Sequence, residues 1–115
     1  MSRTMSPPRM VVYATHRPFR LHCDALLREA GVLVRLASRQ AELAKALGDG
    51  TTAAIIVGDD RRDADVAREL VDARPATLGP PVPIMQRATG ESIEEIVARA
   101  LAVISSPTDQ PRSSE

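Results

Sequence analysis

A chain of 115 residues has the length of one ordinary domain, and 43% hydrophobic with 26% charged residues is the balance of a globular protein. Fifteen basic residues offset fifteen acidic ones, and Tyr13 and Phe19 are the only aromatics, so neither a field for phosphate backbones nor a stacking platform for bases is on offer. The apolar runs are too short to cross a bilayer, residues 1–9 do not read as a secretory signal, and the lone Cys23 excludes an internal disulfide or a Cys-rich metal cluster; a cytoplasmic protein with no membrane, nucleic-acid or metal partner is expected.

Residues 1–9, with Pro7 and Pro8, and residues 105–115, nearly all Ser, Pro, Thr and charge, are too polar to offset the entropy of ordering them and are expected to be loose. Between them, over 10–104, strand-like apolar runs alternate with helical periodicity four times. The first strand is predicted over 10–14, continuously apolar as in a parallel sheet covered on both faces. Pro18 suits a helix start, and Phe19, Cys23, Leu26, Leu27 and Ala30 then recur at helical spacing until Gly31. A second strand over 32–37 leads to Ser38, a candidate N-cap for a helix carrying Ala41, Leu43, Ala44 and Leu47, which Gly48-Asp49-Gly50 breaks. Ala53 to Val57 is the most apolar run and should be central.

A third helix is signalled by Val66, Ala67, Leu70 and Val71 and ends near Pro75, before the rigid Gly79-Pro80-Pro81. The fourth strand, over 82–86, contains Pro83, which cannot donate to a ladder and so belongs on a sheet edge. The last helix opens with Ser92 and Glu95 as a capping box and carries Ile93, Ile96, Val97, Ala100, Leu101 and Ile104 as one apolar stripe. Right-handed crossovers between parallel strands then favour a three-layer, doubly wound α/β domain of strand order 2-1-3-4.

Met-Val-Val-Tyr-Ala-Thr at 10–15, Cys-Asp-Ala-Leu-Leu-Arg-Glu-Ala-Gly at 23–31, and the runs at 32–38 and 52–59 resemble the receiver domains of two-component response regulators. The resemblance covers about half the chain and implies a flavodoxin-like sheet of five βα units, of which four can be read here. The stretch 83–104 could stand for the family's fourth unit or its fifth, which leaves a fifth strand open. It also implies a phosphoacceptor aspartate ending strand three, an acidic pair for Mg²⁺ after strand one, a switch hydroxyl after strand four and a lysine after strand five.

In this sequence Tyr13, Ala14, Thr15 and His16 occupy the acidic-pair turn, and Val57 or Gly58 stands at the acceptor, with Asp59 and Asp60 just beyond as candidate phosphoacceptors. Arg87 falls nearest the switch position, with Thr89 close by. The single lysine, Lys45, lies in the second helix and cannot reach the site, and a guanidinium is not equivalent to its point charge. A hard cation needs carboxylate oxygens, so these departures point to a shortened pseudo-receiver, non-catalytic and without a cofactor.

Each sharp reading has a plainer counterpart. Asp59 and Asp60 sit where open α/β sheets bind ligands, but also where a helix N-terminus favours acids. His16 with Asp59 could hold a metal or move a proton in a small phosphate-binding or enzyme domain, although a loop histidine is ordinarily just solvated. Cys23 reads as a small core hydrophobe, and Gly48-Asp49-Gly50, which precedes a strand, reads as a turn and not a phosphate cradle. Arg35 with Arg39, or Arg61-Arg62, could dock an acidic partner or only reflect an arginine-rich composition. The flank of strand four and the last helix, Pro83, Met85, Ile93, Ile96, Val97 and Leu101, is the expected docking surface for another signalling protein or for a second copy in a homodimer.

Overall fold

The computed structural model describes residues 9–48, 52–58, 60–75, 77 and 82–105. The expected loose termini, apart from Arg9 and Ser105, and most of the Gly48-Asp49-Gly50 and Gly79-Pro80-Pro81 turns therefore lie outside the described residues. The elements run β1 (Arg9–Tyr13), α1 (Arg17–Glu29), β2 (Leu33–Ala37), α2 (Gln40–Leu47), β3 (Thr52–Val57), α3 (Arg61–Asp72), β4 (Ile84–Gln86) and α4 (Ile93–Ser105). All pairings are parallel, in the order β2-β1-β3-β4, as the alternation of runs predicts. Among the described residues the sheet has four strands. No helix among them is long and apolar enough to cross a membrane.

Both faces of the sheet are covered, which fits the apolar runs of β1 and β3 after their first residues, Arg9 and Thr52. Met10, Val12, Ala54, Ile56 and Met85 pack with Phe19, Cys23 and Leu27 of α1 and with Ile96, Val97 and Ala100 of α4. Val11, Tyr13, Ile55 and Val57 face Leu43, Ala46 and Leu47 of α2 and Ala64, Ala67 and Val71 of α3 on the other side. Among the described residues no strand lies beyond β4, and α4 packs beside α1 over the same face of the sheet. This corrects the expected docking surface. Met85, Ile96 and Val97 are core, because removing them from water here stabilises the fold by about 25 cal/mol per Å² of apolar area. Of the six residues, Ile93 and Leu101 are half-buried and Pro83 is exposed.

Local chemistry sets the ends of the elements. The N–H groups of Gly31 and Val32 bond the carbonyls of Arg28 and Leu27 at 3.0 and 3.1 Å, and Gly31 takes the left-handed φ of 84° that this helix ending requires. Ser92 and Glu95 close the predicted box: Ser92 N–H donates to Glu95 Oε1 at 2.9 Å and Glu95 N–H to Ser92 Oγ at 3.0 Å. Helix α2 begins one residue later than expected, with Arg39 and not Ser38 at the N-cap. The reason is Glu42, whose Oε1 accepts from the N–H groups of both Ser38 (2.7 Å) and Arg39 (3.2 Å). Those bonds, that to Ser38 foremost, hold the Glu42 carboxyl below its usual range. β4 is shorter than predicted, because Pro83 contributes only its carbonyl, which accepts from Ile55 N–H at 3.0 Å.

Cys23 is fully buried, and burial pushes its thiol up to about 12, with the Arg87 guanidinium pulling weakly the other way. Burial, then the charges of Asp63 and Asp60, raise Tyr13 above 10.0. In both cases the folded state keeps a proton that the unfolded chain releases, so stability is full below the ordinary thiol value of 9.0 and falls as the pH rises toward 12. We expect the melting temperature to drop steadily above pH 9 and Cys23 to resist a thiol reagent at pH 8 until denaturant is added. Immediate labelling of the native chain would contradict that burial.

Candidate functional site

Where the strand order reverses between β1 and β3, their carboxyl ends open a crevice, the usual ligand position in this architecture. A cleft of about 510 Å³ lies there, lined by Ala14, Thr15 and His16 after β1, Phe19 in the first turn of α1, Gly58 after β3, Asp60 and Asp63 at the start of α3, and Arg87 after β4. Three separate βα junctions thus meet in one depression.

Each wall is built by local bonding. Arg20 Nη1 donates to Ala14 O at 2.8 Å and ties the β1–α1 turn to its helix. Asp60 is the N-cap of α3 and accepts from Arg62 N–H at 2.9 Å, its carboxylate meeting the positive end of the helix. Asp63, only 3% exposed, bridges α3 to the β1 turn: its Oδ2 accepts from Thr15 N–H at 3.1 Å and from Thr15 Oγ1 at 3.4 Å. On the opposite wall Arg87 N–H extends the ladder by donating to Val57 O at 3.1 Å. Its side chain donates from Nε to Glu91 O at 2.7 Å, and its guanidinium carbon stands 5.8 Å from the centroid of the Phe19 ring.

Glu91 is itself fixed. Arg99 donates to it through Nε (3.0 Å) and Nη2 (2.8 Å), Ala88 N–H adds a bond of 2.9 Å, and Arg99 Nη2 also reaches Gln86 O at 2.8 Å. The Arg99 bonds, then that from Ala88, hold the Glu91 carboxyl below its usual range. The β4–α4 loop is therefore a rigid bracket for Arg87.

Of the residues expected from sequence, His16, Asp60 and Arg87 are brought together. His16 is exposed and its side chain makes no capping bond, although its carbonyl accepts from Arg20 N–H at 3.2 Å. Thr89 lies exposed in the following turn, away from the cleft lining. Asp59, the other candidate acceptor and the proposed partner of His16, lies outside the described residues. At the acceptor position Val57 is buried in the α2/α3 core, while Gly58 backs onto Phe19 and Ala14. Among the described residues no three His, Cys, Asp or Glu side chains converge as a metal cage.

Sequence reasoning missed Asp63 and the joint use of Phe19 and Arg87. Asp63 stands four and eight residues before Ala67 and Val71, on the buried stripe of α3, and an acid on an apolar stripe was the available signal. The meeting of Phe19 with Arg87, 68 positions apart, had none.

Comparison with known proteins agrees on the architecture. A response regulator receiver protein from Sinorhizobium medicae WSM419 is similar over 89% of this chain and 94% of its own, with a TM-score of 0.53 and 18% identity. A de novo designed Rossmann 2x3 fold protein matches with the same TM-score at 11% identity, over 84% of this chain and 89% of its own. No family model and no curated protein sequence matches. The chain therefore has a receiver-like, doubly wound fold, and because a designed protein shares it equally well, the likeness speaks of the scaffold alone.

Proposed function

We propose that this chain is a receiver-like signalling module that acts by binding another protein and does so without being phosphorylated. One observation carries the reading: both carboxylates described in the cleft are engaged in holding the fold. Asp60 caps α3, and Asp63 ties α3 to Thr15. Phosphoryl transfer needs a free acceptor oxygen, a carboxylate-bound cation and an ammonium group to neutralise developing charge. The cleft offers Arg87 in place of the last, a planar fork anchored to a backbone carbonyl.

Incubating the protein with acetyl phosphate and Mg²⁺, followed by intact-mass measurement, should leave the mass unchanged. An added phosphoryl group mapped to Asp59 or Asp60 would favour a divergent but functional receiver and overturn this reading.

A further inference from the structure

A guanidinium carries five N–H donors, and Arg87 spends one of them, from Nε, on Glu91 O. Its terminal nitrogens have no partner among the described residues, although the side chain is half-buried and its orientation is fixed twice over, by the bracketed loop and by the Phe19 ring. Holding a fork still in a recess costs side-chain entropy and hydration, and among the described residues no ion pair with it offsets that cost. The remainder of the recess is apolar at its floor, where Ala14, Gly58 and the edge of Phe19 meet, and its volume of about 510 Å³ falls in the range of small-molecule pockets.

The far wall narrows the choice of ligand. Asp60 and Asp63 set two negative charges on α3 against the single positive charge of Arg87, so each further negative charge on a ligand adds more repulsion than attraction, and a dianion such as a phosphate monoester fits worse than a monoanion. A carboxylate carries one charge and matches the guanidinium edge with two parallel bonds. We propose that the cleft binds a small organic monocarboxylate, its two oxygens seated on Arg87 Nη1 and Nη2 and its apolar body over Ala14, Gly58 and Phe19. The binding goes beyond the signalling reading and is independent of whether Asp59 or Asp60 takes up phosphate, so either can fail without the other.

Benzoate serves as the probe, titrated into ¹⁵N-labelled protein with phenyl phosphate and benzamide in parallel. Saturable amide shifts at Thr15, Gly58 and Arg87 are expected with benzoate at concentrations on the order of millimolar, weaker ones with phenyl phosphate and none with benzamide. Arg87→Gln should weaken benzoate roughly tenfold, and the exposed Arg28→Gln should leave it unchanged. Arg87→Lys keeps the charge but loses the fork. It should also weaken benzoate several-fold, and it stands in if the Gln variant loses a dispersed spectrum. Absent cleft shifts, phenyl phosphate binding tighter than benzoate, or equal benzoate affinity in a folded Arg87 variant would each overturn the assignment.

Discussion

Replacing Ile96 with alanine should lower the unfolding free energy by about 3 kcal/mol in a urea titration, against a total of about 5–15 kcal/mol for a domain of this size. Ile96 is completely buried between β3, β4 and α1, at the centre of the stripe that brings α4 back over the sheet. Removing its branched side chain forfeits the transfer free energy and leaves a void that a close-packed interior fills only in part. Val103 on the outer side of the same helix is 39% exposed, and Val103→Ala should change stability by no more than about 0.5 kcal/mol. Equal small losses at both positions would mean that α4 does not cover the sheet and that its apolar stripe is free for a partner after all.

Removing the Asp63 carboxylate, as Asp63→Ala, should cost about 2 kcal/mol, the range of a hydrogen bond to a charged group together with a partner left unpaired. The loss falls on the contact between α3 and the β1 turn, where Thr15 N–H and Oγ1 would have to turn to water. A second readout separates this from a simple packing defect. Tyr13 is the only tyrosine, and the negative charge of Asp63 is the next contributor after burial to its raised value, so Asp63→Asn should bring the phenol down while leaving it above 10.0. Absorbance titration of the phenolate reports that directly. An unchanged Tyr13 in Asp63→Asn would place the carboxylate too far from the ring to act on it.

Elements whose signals are local were legible in the sequence. The sheet order follows from four alternations of pattern and the handedness of crossovers, and the Ser92/Glu95 box and the Gly31 ending sit where their residue types place them. Where a local signal had a competitor, it lost by a residue or two: Glu42 displaced Ser38 as the group satisfying the start of α2, and Pro83 stayed outside β4. The cleft was half legible. His16, Asp60 and Arg87 mark the ends of β1, β3 and β4 and could be found by topology alone. Asp63 hid inside a helix, and the stacking of Arg87 on Phe19 depends on how α4 fixes its preceding loop, a contact between distant parts of the chain that no spacing encodes.

Lys45, the single lysine, stands exposed in the last turn of α2, whose end leads to the amino edge of the sheet, opposite the cleft. Amine-directed reagents therefore have one side chain to attack besides the α-amino group. A fluorophore or a sensor-chip linkage placed there would leave the recess around Arg87 facing solvent, so a conjugate at this position is suited to measuring small ligands and protein partners on the same preparation.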